Sequence, residues 1–216
     1  MDSILKEKLI TLAQDRQVKD DPSHDFQHIL RVLYMAEKIA AHEGADIDVV
    51  IPAALFHDTV VYRKDSPQSK NETDESAQVA GEILAAIDDY PKEKIPQVQA
   101  CIRECSFTKG LTASSLESSV LQDADLLEST GAISIMRTFT SGGQMQKKLY
   151  DLEDPFRTTT EPVAFGVSLD LFFARLLKAK DRIHNEYAKK IAERRHQFLK
   201  DFLNELELEL KETDSI

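Results

Sequence analysis

No stretch of this chain approaches the ~18 consecutive apolar residues that a membrane-crossing helix requires, so nothing in it is expected to span a membrane. The opening, MDSILKEKLI, places an acid at position 2 and lacks the basic-then-apolar order of a signal peptide. Cysteine is scarce: Cys101 and Cys105 are the only two. They are too close in sequence to staple a fold and lack the Cys or His neighbours of a zinc site, so they read as reduced core thiols. Positive charge is in deficit, with 27 Lys and Arg against 38 Asp and Glu for a formal net charge of −11. Such a chain repels nucleic-acid backbones and anionic membranes, which removes both as bulk partners. A small anionic substrate is still allowed, because a local pocket or a metal can invert the field. Repeats, low-complexity tracts and alternating apolar runs longer than four residues are all missing, so strands are not expected. The cytoplasm is the expected location.

What is present is helical patterning throughout, in a chain of 216 residues that is 42% apolar and long enough for one well-packed domain. Ile4, Leu5, Leu9, Leu12 and Ala13 mark a first amphipathic helix to about Gln17. A second runs from about Asp25 to Glu43 on a stripe of Ile29, Leu33, Ala36 and Ala40, with Gly44 as its stop. Asp46 caps a third, whose buried face takes Val49, Val50, Ala53, Ala54, His57 and Val61, with Pro52 marking a kink or a later start. Further helices are expected at roughly 72–88, 93–107 and 114–128, and a short one after Thr130. Residues 141–167, with SGG, EDPF and TTTEP, form an irregular segment of a length usual for lids and binding loops. The tail from Ser168 to about Lys211 reads as two helices bent near Lys180–Asn185.

Three of these apolar faces are interrupted by costly polar groups. His57 stands where Leu or Ala would be expected, and Asp58 follows it directly. His24 and His28 open the preceding helix, and Asp123 and Asp125 break the stripe of Val120, Leu121, Ala124 and Leu127. Groups buried in such places need partners. One divalent cation satisfies all three interruptions. Two imidazoles and two carboxylates with water suit an octahedral Mn, Fe, Co, Ni or Mg better than a closed tetrahedral Zn.

The blocks HDFQHILRV, LFHDTV and LQDADLLESTGAISIMRTF resemble the HD superfamily of metal-dependent phosphohydrolases. RKDSPQ, LEDPF and LLKAKDRIHNEYAKKIAERRHQFLKDFL resemble a bacterial single-domain branch of it, so the likeness runs from about residue 20 to 205. The resemblance implies an all-α fold, a single-domain helical bundle of the HD type. Its core would cover about 20–140, an irregular lid about 141–167 and a C-terminal helical pair about 168–212. It implies His28, His57, Asp58 and Asp125 as ligands of one divalent metal ion, with Asp123 the fallback for Asp125 and otherwise a contact to a ligand or to substrate. His24 is then a proton donor or phosphate contact. Two-metal relatives take further His ligands after the HD pair, and no His stands between His57 and His184 here, so one ion is expected. In ECSF, Cys105 occupies the place of a His common in this branch.

The implied reaction is hydrolysis of a small phosphorylated substrate, a nucleotide, by metal-activated water, with Asp58 orienting the water. A nucleoside-triphosphate pyrophosphohydrolase is one form of it. Cations for the phosphates are sought in Lys64, Lys109, Arg137 and Arg175. A homodimer is compatible with this reading. The competing reading is a metal-stabilised nucleotide-binding or signalling module with little turnover.

Overall fold

The computed structural model describes residues 1–16, 25–62, 66–106, 109–163 and 166–213. Among them the chain is all-α, with no strand. It forms two compact units, Met1–Asp125 and Leu126–Ile216.

The first unit contains α1 (Ser3–Asp15), α2 (Phe26–Glu43), α3 (Ile47–Phe56), α4 (Glu72–Ala85) and α5 (Ile95–Glu104). It also holds most of α6 (Leu116–Leu127), with short 3₁₀ turns at Pro67–Asn71 and Lys92–Lys94. Helix α3 is buried on every side from Val49 to Phe56, as a helix apolar all round must be, and it packs against α1, α2, α4 and α5. Its Pro52 cannot donate to the carbonyl of Asp48 one turn earlier. The hydroxyl of Tyr90, after α4, supplies that donor at 2.8 Å, so the helix continues through the proline. Burial, and then the charges of Asp48 and Asp46, push the Tyr90 hydroxyl well above the usual phenol range and keep it a donor.

The ends of α2 follow the expected chemistry. Asp25 Oδ1 accepts from the His28 backbone N–H at 3.0 Å, and Gly44 takes the left-handed conformation with its N–H on Ala40 O. Between them Ile29, Val32, Leu33, Ala36, Ile39 and Ala40 face inward. Helix α6 is anchored at two points. Glu117 accepts from the Asp46 N–H and from Gln97, and Gln122 donates to the carbonyls of Glu104 and Leu111.

Three expectations are corrected. Helix α3 ends at Phe56, with His57 as its C-cap, so Val61 lies in irregular chain rather than on a helical face. Residues 141–144, read as the start of an irregular segment, belong to α7 (Gly131–Gln144), where Gly142 leaves space for the Ser168 side chain that a Cβ would strike. The tail breaks at residues 183–185, within the expected Lys180–Asn185, but its first half is not one continuous α-helix. It comprises α8 (Asp170–Ala174), a 3₁₀ segment at Leu176–Arg182 and the long α9 (Glu186–Thr213).

The second unit has its own core of Leu169, Phe172, Leu176, Leu199 and Leu203, joined by Phe139, Phe156 and Phe202. Between α7 and α8 the chain is held by polar contacts. Both carboxylate oxygens of Asp154 are saturated by the backbone N–H and hydroxyl groups of Thr158, Thr159 and Thr160, at 2.8–3.0 Å. Arg157 reaches the buried Asp170 in a bidentate pair, Nε–Oδ1 2.5 Å and Nη2–Oδ2 3.2 Å. The segment expected as a lid is thus internally cross-linked over residues 151–163, where Val163 N–H also reaches Asp170.

Candidate metal centre

Packing of α2 on α3 places the rings of His28 and His57 with their centroids 5.5 Å apart, tilted 64°. His28 is the third residue of α2 and only 1% exposed; His57, at the end of α3, is equally buried. The Nδ1 of His57 lies 2.8 Å from Ala54 O. A carbonyl only accepts, so Nδ1 carries the proton in the neutral ring and Nε2 presents its lone pair. That Nε2 is buried and has no hydrogen-bond partner among the described residues.

Two carboxylates face the imidazoles. Asp58 Oδ2 stands 3.6 Å from the Nε2 of both His28 and His57. Asp125 Oδ1 stands 3.6 Å from His28 Nε2 and 3.9 Å from His57 Nε2. The two carboxylates keep 25% and 23% side-chain exposure, so the cluster opens towards solvent on their side. The donor atoms of His28, His57 and Asp125 all lie within 4.8 Å of one another. These separations exceed a hydrogen bond. They lie close to the roughly 3.0–3.4 Å between two ligands that share an ion at about 2.1 Å. Two imidazole nitrogens, two carboxylate oxygens, an orphaned buried lone pair on His57 and an open side are a donor set that fits a divalent ion.

Asp123, two residues before Asp125 on α6, is fully buried and does not belong to this group. Cys105 caps α5 beside the cluster; burial, then the carboxylates of Asp125 and Asp58, push its thiol far up, so it stays protonated. Cys101 and Cys105 are both buried and free, as expected.

The expected phosphate contacts are placed unevenly. Lys109 Nζ bonds Thr73 Oγ1 at 2.6 Å and Asp74 Oδ2 at 2.8 Å, at the start of α4. Arg137 and Arg175 lie in the second unit, where Arg137 Nη1 is 3.8 Å from the buried Glu128 and Arg175 ends α8. His24 and Lys64 lie outside the described residues.

Sequence reasoning missed the grip of α4 on the chain leaving Asp58. Ser76 bonds the backbone of Val60, Glu72 accepts from Tyr62 N–H and Glu75 from Tyr62 Oη. The available signal was Ser76 itself, a hydroxyl on the face shared with the buried Ala77 and Ala80.

Comparison with known proteins agrees in fold and extent. The HD domain family matches residues 25–130. The Bacillus subtilis protein YpgQ is 29% identical over 213 residues, which covers 97% of this chain and 95% of YpgQ. A crystal structure of YpgQ in complex with ADP superposes with a TM-score of 0.70 at 27% identity, covering 94% of each chain. An HD-superfamily hydrolase from Bacillus thuringiensis is 30% identical, with a TM-score of 0.71 and coverage of 96% of this chain and 97% of its own. No helix among the described residues is long and apolar enough to cross a membrane.

Proposed function

Because this chain belongs to the HD superfamily, we propose that it is a cytoplasmic metal-dependent phosphohydrolase of nucleotides, with His28, His57, Asp58 and Asp125 holding one divalent ion. The observation that carries this reading is the convergence of these four side chains from α2, α3 and its exit turn, and α6. A divalent ion in this place supplies Lewis acidity, acidifying water and offsetting charge on a phosphoryl oxygen. The ADP held by YpgQ supports a nucleotide as the substrate class.

The chain's own residues do the rest. His57 enters as the tautomer fixed by Ala54 O, its Nε2 directed at the ion site. Asp58 turns one oxygen to the imidazoles, and its other oxygen orients the attacking water and accepts its proton. His24, four residues before His28, is assigned the leaving group's proton or a phosphate. Lys64, six residues after Asp58, is the first choice as phosphate cation, with Lys109, Arg137 and Arg175 as further candidates. Lys109 is held ready by Thr73 and Asp74. Asp123, buried on α6 two residues before Asp125, is assigned a contact to a ligand or to substrate rather than ligation of the ion.

The deciding experiment incubates metal-loaded protein with a nucleotide panel and reads phosphate and pyrophosphate separately. Pyrophosphate release from a nucleoside triphosphate identifies a pyrophosphohydrolase. Tight binding of metal and nucleotide with no turnover on any member identifies a binding module and sinks the hydrolase reading. Lys64→Ala is expected to lower kcat/KM by roughly tenfold to a hundredfold with metal content unchanged, the size of a charge-assisted hydrogen bond.

A further inference from the structure

The four proposed ligands are not fixed by equivalent means. His28 and Asp125 stand inside α2 and α6, and His57 closes α3 with its ring tied to Ala54 O. Asp58 lies in the turn that follows α3. The backbone beyond it therefore shares in setting its direction. Thr59 folds back on Phe56 O through its N–H at 3.3 Å and its hydroxyl at 2.8 Å.

The next residues are gripped by one face of α4. Ser76 Oγ accepts from Val60 N–H at 3.0 Å and donates to Val60 O at 3.4 Å. Glu72 Oε1 accepts from Tyr62 N–H at 2.7 Å, and Glu75 Oε2 from Tyr62 Oη at 2.6 Å. Positions 72, 75 and 76 share a helical face, so three side chains of that face hold the chain two and four residues beyond Asp58. Ser76 is fully buried among alanines, where a hydroxyl is costly unless bonded, and both its bonds go to Val60.

We propose that Ser76, with Glu75 and Glu72, is a positioning residue for Asp58: the α4 clasp on Val60 and Tyr62 sets the affinity of the centre for its ion and the aim of the Asp58 carboxylate. This rests on the metal-centre reading above. It assigns Asp58 a support that reaches it through the backbone, and it predicts that lesions on α4 are read at the metal.

The test uses the full chain, stripped by chelator and titrated with Mn²⁺ by calorimetry, as wild type, Ser76→Ala and Tyr62→Phe. Ser76→Ala is expected to weaken Mn²⁺ binding about tenfold, the scale of losing a group that supports a ligand. Tyr62→Phe removes only the outer bond to Glu75, on a half-exposed side chain that does not threaten folding, and is expected to weaken binding by a smaller factor in the same direction. At saturating Mn²⁺, kcat on the best substrate should fall with KM held, because the role assigned to Asp58 is to orient the water rather than to bind the substrate. A merely structural role would lower the melting temperature of the metal-free protein and leave the Mn²⁺ affinity of the folded protein unchanged. Wild-type Mn²⁺ affinity in both variants overturns the clasp while the metal centre stands. No Mn²⁺ uptake by the wild type overturns the metal centre, and the clasp with it.

Discussion

His57 gives one ring nitrogen to a carbonyl and leaves the other buried in front of two carboxylates, an arrangement that only a proton or a cation completes. His57→Ala is therefore expected to abolish tight uptake of one divalent ion per chain, measured by elemental analysis after dialysis. Asp125→Asn should do the same, while Asp123→Asn should retain the ion, because Asp123 is fully buried outside the donor cluster. The reverse pattern would move the ligand to Asp123. This distinction marks the limit of what the sequence alone discloses about the site. An imidazole and a carboxylate breaking the apolar run VVIPAALF are visible without a structure, because their burial has to be compensated. The choice between two aspartates two residues apart depends on how α6 is rotated. That rotation is set by Glu117 and Gln122 reaching partners that are 71 and 18 residues away in the chain for Asp46 and Glu104. Ser76 is hidden for the same reason, since its partner is the backbone of Val60 and not a residue type.

At the scale of single elements, helix α2 is legible at both ends because its stop signals are local, an Asp cap and a left-handed Gly. Helix α3 is over-extended by sequence reading, since Val61 stands four after His57 and prolongs the period past the true end. Its proline is tolerated through a residue 42 positions away, which no local pattern discloses. Tyr90→Phe leaves the ring in the core and strips Asp48 O of its replacement donor. It should cost about 1–3 kcal/mol in urea unfolding, the range for an orphaned buried acceptor. A loss near zero would mean that the carbonyl finds another donor. The 151–163 segment makes a different prediction. Burial raises the Asp154 carboxyl, but the N–H groups of Thr158 and Thr159 and the hydroxyls of Thr160 and Thr159 outweigh it and hold the group well below the usual carboxylate range. A depressed folded value means that Asp154 contributes stability above its unfolded value, about pH 4, and that the contribution drains as pH falls below it. Asp154→Asn, with one acceptor oxygen replaced by a donor amide, should melt below wild type at pH 7. The gap should narrow progressively below about pH 4, and a pH-independent gap would refute the electrostatic account.

For the whole molecule, the centre joins residues 28, 57, 58 and 125, which lie on α2, at the end of α3 and on α6 of the Met1–Asp125 unit. Residues so distant in sequence meet only in the folded state, so an ion held there binds the native protein and not the unfolded one, and its binding free energy becomes folding free energy. At a free Mn²⁺ concentration one hundred times Kd the gain is about 2.7 kcal/mol, which for a chain of this size corresponds to a rise of roughly 5–10 °C in unfolding temperature. The wild type is expected to show that rise, growing with the logarithm of Mn²⁺ concentration and reversed by chelator. His57→Ala should show none over the same range. The control is needed because a chain with a formal net charge of −11 attracts divalent cations to its surface acids, and surface uptake would raise both proteins alike. An equal rise in wild type and His57→Ala would place the stabilising ion on the acidic surface and leave the four-residue centre without support.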